Sequence, residues 1–559
     1  MRKGFVTVDG RLVHYRWTGK GPPVVMLHDS PRSSRLHIDT MTRLADRFTV
    51  YALDTPGYGN SQPLETERPT IAAFAEALDH TLKAMELAGA PLYATHTSAK
   101  IALEYAAGFD RQAGLILDGL SIPAGPPDPA YVDAYMRPFR LDAAGGYLAT
   151  EWTRMRDMAR WFPWFRQTPQ ARMPIAAQSD AWFADYALDF LSAGPAYASA
   201  YSAAMLYDPM PALHAVRCPT VIAAKADDVL YAALDRVPVE RNDALTVTRL
   251  PADRDAWLAW LAEMFADAAP RPGLVLANDG PATYVDVPHG QMLVRRAGRG
   301  TQRPVLVIDA PTTMHALRWQ EAFGERPTLV PDLCGYGESD PLETPSLEAA
   351  ADSLHEMIRV LGIDSVDVMG LGFATPLAAT FAARHGRATN RVILDGCFML
   401  DSEDPVDLGD ALCPKIEFDR AGGHLHRIWH MLRDSEAQWP WFDGSPDAHR
   451  TLSPALDAAG LHQSLVAILK QPARYGDMAR LAVQADADAR YPVFGQPALI
   501  FDRAGDPGYR AATAVADRLS DARIAPRGDD IAATLPVVLA FLGGDVAVPK
   551  PLPAGVSAS

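Results

Sequence analysis

Cysteine is scarce: the 559 residues contain four, Cys218, Cys334, Cys397 and Cys413. None stands in a Cys-x-x-Cys pair, which excludes a zinc knuckle or a dithiol redox motif. Free thiols in a reducing compartment are the expectation. Positive charge is also short, with 52 lysines and arginines against 68 acids and a net charge of −16. Nucleic acid or an anionic membrane surface needs a basic face that this balance does not offer. No apolar run is long enough to cross a bilayer, and no apolar segment follows Arg2 and Lys3 as a secretory leader requires. These absences point to a cytoplasmic chain with a small-molecule partner and with neither nucleic acid nor membrane; a homodimer stays open. What is present is globular in character, 48% hydrophobic and 21% charged, and long enough for more than one domain.

The chain repeats itself. Gly57-Tyr58-Gly59-Asn60-Ser61 is followed by Gln62-Pro63-Leu64-Glu65-Thr66, and Gly335-Tyr336-Gly337-Glu338-Ser339 by Asp340-Pro341-Leu342-Glu343-Thr344. At nearly the same offset, Gly146, Trp152, Arg156, Asp157, Pro163, Trp164 and Phe165 match Gly423, Trp429, Arg433, Asp434, Pro440, Trp441 and Phe442. Leu115-Ile116-Leu117-Asp118-Gly119 likewise matches Val392-Ile393-Leu394-Asp395-Gly396. The period is far too long for a solenoid, so it marks a duplicated domain. The expected division is domain 1 over 1–267, a Pro/Gly-rich linker over 268–282, domain 2 over 283–544 and a loose tail over 545–559.

Each half opens with hairpin-like alternation; in the first, Asp9-Gly10 supplies the turn. Short apolar strands then alternate with helical patterns: Pro23-Val24-Val25-Met26-Leu27, Thr49 to Leu53, a helix over 71–87, a strand and turn over 91–96, and a helix resuming at Lys100. Such alternation implies a mostly parallel sheet with helices on both faces. A Trp-rich helical insertion, about 120–210 and again about 397–488, would cap the strand ends where open sheets bind ligands.

Four segments carry a resemblance to the α/β-hydrolase superfamily, in its capped, haloalkane-dehalogenase or C–C-hydrolase-like branch. They are Val25-Met26-Leu27-His28-Asp29-Ser30-Pro31, the Asp54-x-Pro56-Gly57-x-Gly59-x-Ser61 motif, the turn around residue 96, and Pro219-Thr220-Val221-Ile222 leading to Asp228. The resemblance covers nearly all of both halves and implies two tandem α/β-hydrolase-fold domains.

The catalytic positions that the resemblance implies are filled by unusual residues. The nucleophile elbow holds His96 in Ala94-Thr95-His96-Thr97-Ser98, and Gly372 in Gly370-Leu371-Gly372-Phe373-Ala374. A shift of one residue would put Thr97 there instead, and a shift of two, Ser98. The acid position is occupied by Asp228 and Asp506, and an alternative acid position by Asp118 and Asp395. Aspartates, Asp253 and Asp529, stand where the general-base histidine belongs. The oxyanion loops begin His28-Asp29 and Ile308-Asp309, where a carboxylate would oppose a developing oxyanion.

Domain 1 therefore keeps a polar set, His28, Asp29, His96, Asp118, Asp228 and Asp253, and the triad geometry implies that His96, Asp228 and Asp253 converge. His96 would act as base or nucleophile, with Asp228 or Asp253 orienting it and raising its pKa. The same groups could hold Mn, Fe or Zn, although no His-x-x-x-His spacing supports a metal. No other cofactor is implied. In domain 2, Asp309, Asp395, Asp506 and Asp529 would surround Gly372, a repulsion that protonation, a cation or a buried arginine could relieve. Domain 2 is expected to be structural or a binding partner. Ser30, Thr97, Trp152, Trp161 and Trp164 are candidates for substrate contact, with core packing as the competing role for the tryptophans. His424, His426 and His430 are expected at the surface. The readings are an enzyme hydrolysing or cleaving a C–C or C–X bond in a small, partly apolar carbonyl compound; a silent tandem binder or scaffold; a metal-dependent enzyme; and an ordinary esterase using Thr97 or Ser98.

Overall fold

Pro-Val-Val-Met-Leu is apolar at every position, and as β3 (Pro23–Leu27) it is buried at every position, as a central parallel strand covered on both faces must be. The computed structural model describes residues 1–109, 113–173, 177–266, 269, 280–399 and 405–544. Most of the expected linker and all of the expected tail lie outside them. The chain divides into two compact units, Met1–Arg140 with Ala149–Gly280, and Leu141–Leu148 with Pro281–Ser559. The segment Leu141–Leu148, expected in the first half, thus groups with the second unit.

In the first half, β1 (Arg2–Val8) and β2 (Arg11–Thr18) form an antiparallel hairpin. Its two linking residues, Asp9 and Gly10, hold φ of 50° and 75°, the positive pair that a tight hairpin turn demands. The other strands are β4 (Thr49–Leu53), β5 (Leu92–Thr95), β6 (Leu115–Asp118), β7 (Thr220–Lys225) and β8 (Leu245–Leu250). The sheet order is β1-β2-β4-β3-β5-β6-β7-β8, parallel from β4 onward. Val24, Met26, Val50, Tyr93, Trp257 and Phe265 belong to one buried cluster between this sheet and its helices. Thr70 starts the helix Ile71–Ala84 by accepting from Ala73 N–H.

The second half repeats the plan with β9 (Ala282–Val287), β10 (Gly290–Ala297), β11 (Val305–Ala310), β12 (Thr328–Pro331), β13 (Val366–Gly372), β14 (Thr389–Asp395), β15 (Ala498–Asp502) and β16 (Ala522–Pro526). Their order, read from β9, is β9-β10-β12-β11-β13-β14-β15-β16, the same as in the first sheet. In both halves a run of helices interrupts the sheet at one place, between β6 and β7 and between β14 and β15. Each half is thus a mostly parallel sheet flanked by helices with a helical insertion, the duplicated α/β-hydrolase architecture. In the second insertion His424 is buried, contrary to expectation. It packs against Phe418 and its Nδ1 accepts from Asp419 N–H.

Candidate active site

The chain turns sharply after β5. His96 takes φ of +49°, and the helix Thr97–Phe109 begins at the next residue. His96 N–H donates to the Asp118 carbonyl at 3.0 Å and Ala99 N–H to the His96 carbonyl at 3.1 Å, which closes the turn. Gly372 takes φ of +48° at the matching place, as the last residue of β13, paired with Ala310. The left-handed residue is therefore 96, not 97 or 98. Thr97 is buried, and Ser98 Oγ is tied within the turn, donating to the Thr95 carbonyl at 3.0 Å and accepting from Thr95 N–H at 3.1 Å.

The loop after β7 brings Asp228 to His96, with Nε2 and Oδ2 2.9 Å apart. The other Asp228 oxygen accepts from Leu230 N–H at 2.7 Å, so the carboxylate is held from both sides. A Cβ on Gly119 would stand 2.4 Å from His96 Cδ2 and 2.6 Å from Nε2, and only glycine leaves room for the imidazole there. Burial opposes charge on His96. The hydrogen bond and charge of Asp228, joined by the charges of Asp29 and Asp118, outweigh it and lift the imidazole to about 9. Burial likewise opposes charge on Asp228, yet the His96 hydrogen bond keeps it below the usual carboxylate range. The pairing favours imidazolium and carboxylate, and in that state the imidazole offers a proton rather than a lone pair. The side chain is 34% exposed, and its Nδ1 meets no protein partner among the described residues.

The remaining candidates separate. Asp29 lies in the loop after β3, where its Oδ1 is buried without a hydrogen-bond partner. His28 is structural: Nδ1 donates to the Asp29 carbonyl at 2.8 Å and Nε2 accepts from Thr55 N–H at 2.9 Å, so neither ring nitrogen is free for chemistry. Asp118 is also a strap, with Oδ2 accepting from Tyr93 Oη and Trp257 Nε1, each at 2.8 Å. Asp253 does not join His96. It is exposed and caps the helix Arg254–Met264 by accepting from Ala256 N–H at 2.7 Å, a local bond that satisfies a helix end. Trp152 and Trp164 are buried, and Trp164 Nε1 donates to the Tyr135 carbonyl at 2.9 Å; Trp161 and Ser30 are half-buried. No group of three or more His, Cys, Asp or Glu side chains is placed to hold a metal ion among the described residues. The expected cluster resolves instead into a hydrogen-bonded pair, a strap and a cap.

In the second half, the four expected carboxylates do not all face Gly372. Asp309 and Asp395 line a cavity beside it, of about 150 Å³. Asp529 is 75% exposed and paired with Arg503 at 2.8 Å. Asp506 is buried and accepts from Thr451 N–H at 2.8 Å and Gly508 N–H at 3.0 Å. The repulsion is relieved by a buried arginine: Arg527 Nε lies 3.0 Å from both Asp395 oxygens, and Tyr509 Oη donates to Asp395 at 2.8 Å. Burial lifts Asp309 to about 7. The cavity also holds a pair not anticipated from the sequence, His315 Nε2 and Glu436 Oε1, 2.8 Å apart. Arg527 stands in the loop where the general-base histidine is expected, two residues before Asp529. His315 and Glu436 lie far apart in sequence and carry no motif that would join them.

No family model matches the chain. A haloalkane dehalogenase of Sphingobium indicum is 33% identical over 78 residues, which is 14% of this chain and 26% of that enzyme. The match thus spans about a quarter of the relative's length. Among solved structures, the enol-lactonase of Burkholderia xenovorans LB400 aligns at 17% identity and a TM-score of 0.37, over 47% of this chain and 100% of that one. A mutant potato epoxide hydrolase aligns at 16% identity and a TM-score of 0.39, over 48% and 98%. On its own strand order, sheet direction and turn geometry, the chain is two α/β-hydrolase-fold domains in tandem.

Proposed function

We propose that domain 1 is an enzyme acting on a small, partly apolar carbonyl compound, hydrolysing it or cleaving a C–C or C–X bond beside the carbonyl, by acid–base chemistry centred on His96 without a covalent acyl-enzyme. The observation that carries this reading is His96 on the elbow turn, anchored through Nε2 to Asp228 at 2.9 Å, with Nδ1 unclaimed by protein among the described residues. An N–H of an imidazolium stabilises negative charge developing on a carbonyl oxygen. Asp29, with a buried and unpartnered oxygen, serves as the acceptor for a water proton. Water adds to the carbonyl carbon and its proton passes to Asp29. The tetrahedral carbon then collapses, and the leaving carbon or heteroatom takes the proton back from Asp29. Atoms and charge balance without a serine.

The test is turnover of a panel of β-diketones, lactones and esters by the full chain and by His96→Gln. The variant is expected to lose about 10²–10⁴-fold in kcat, and full activity in it would sink the assignment. A second reading, a silent tandem protein that binds a small molecule or scaffolds a pathway, is favoured by Gly372, which has no side chain to react. Saturable binding without turnover anywhere in the panel would select it.

A further inference from the structure

We propose that domain 2 carries a ligand site of its own, holding a single-ring carboxylic acid with its carboxylate on His315 Nδ1–H and its ring against Trp439, Phe373 and Leu432. The site is independent of the reading of domain 1. Its cavity measures about 150 Å³, a volume that in other proteins takes one benzene ring. One wall is aromatic: the Phe373 and Trp439 rings stack with centroids 5.8 Å apart, and Leu432 lines the same space. The Gly372 elbow contributes no side chain, and even an added Cβ there would meet nothing within 4 Å, so the floor is open.

The other wall suits an anion. His315 is fixed at both ends, its N–H donating to Asp309 at 3.1 Å and its Nε2 to Glu436 at 2.8 Å. Glu436 is itself held by Ala455 N–H at 2.9 Å. Burial opposes charge on His315, but the Glu436 charge and hydrogen bond outweigh it and raise the imidazole above its ordinary value. Its Nδ1 has no protein partner among the described residues, and the ring is 39% exposed where it lines the cavity. Arg450 adds a guanidinium to the lining, its buried Nε without a hydrogen bond and 3.9 Å from Asp506 Oδ1. The carboxylates around the space do not repel an incoming anion: Glu436 is paired with His315, Asp395 with Arg527, and burial makes Asp309 easy to protonate. A charge-assisted N–H to carboxylate bond in such a half-closed space is about twice as strong as a neutral one.

Isothermal titration of the full chain with benzoate, and with benzamide as its uncharged counterpart, tests the site. Saturable benzoate binding is expected, at least about tenfold tighter than benzamide. His315→Gln should weaken benzoate by at least about tenfold. Trp439→Leu leaves the His–Glu pair intact and probes the ring side should His315→Gln fail to fold; it should weaken benzoate by about fivefold or more. Absence of saturable benzoate binding at millimolar concentration overturns the proposal. So does benzamide binding as tightly as benzoate, or benzoate binding unaltered in both variants.

Discussion

His96 holds a left-handed conformation that costs a non-glycine residue about 1–3 kcal/mol, and a glycine fills the same position in the second half without that cost. A strained residue persists only where its surroundings hold it. Here the hold is Asp228, the Asp118 carbonyl and the space left by Gly119. The charge on His96 follows from the same contacts. Its folded value of about 9 lies above the ordinary 6.5, so the folded state retains a proton that the unfolded chain releases. The stabilisation is complete below about pH 6.5 and is lost as pH rises through about 9. Asp228→Asn should bring the His96 titration down to the ordinary value or lower, because burial then acts unopposed. A pH titration followed by NMR of the imidazole ring checks this, and a His96 still titrating near 9 in the variant would clear Asp228 as the cause.

Elements are joined here by carboxylates that serve structure. Asp118 at the end of β6 ties β5 through Tyr93 and the helix Arg254–Met264 through Trp257. Asp189, on the helix Asp180–Ala193, takes Arg32 Nε at 2.8 Å and Ser33 Oγ at 2.7 Å, and so fastens the helical insertion to the loop after β3. Asp118→Ala would leave two buried donors, Tyr93 Oη and Trp257 Nε1, without an acceptor. Each orphaned group costs about 1–3 kcal/mol, so urea unfolding should show a loss of about 2–4 kcal/mol. A loss below about 0.5 kcal/mol would mean that both donors find another partner and that Asp118 is free for chemistry.

Across the whole molecule, two sheets of identical strand order carry different elbows. The first presents an imidazole held by Asp228 and the second an empty floor. Neither presents a hydroxyl, and Ser98 is bonded within its own turn. The full chain should therefore resist covalent labelling by a fluorophosphonate probe at either elbow, read by intact-protein mass spectrometry. One adduct on Thr97 or Ser98 would restore the ordinary esterase mechanism. Among the described residues no helix is long and apolar enough to cross a membrane, and the four cysteines are buried free thiols.

Local pattern and repetition determined much of this molecule. The Asp9-Gly10 turn, the apolar strands and the helical insertions follow from short-range periodicity and turn chemistry, which act over a few residues; the duplicated order follows from the internal repeat, and the elbow positions of His96 and Gly372 were what the α/β-hydrolase resemblance implied. Which carboxylates meet is a tertiary matter. Asp253 and Asp529 sit at the sequence positions of a general base, yet each finds a nearer partner, a helix end or Arg503, and stays at the surface. His315 and Glu436 share no motif and meet only because the start of one helix and the end of another line the same cavity. That an aspartate, Asp228 or Asp253, raises the His96 pKa was legible in the sequence, but the size of the shift was not. It depends on a 2.9 Å contact with Asp228 and on how much water the fold leaves around the ring, and both are set by packing rather than by neighbours in the chain.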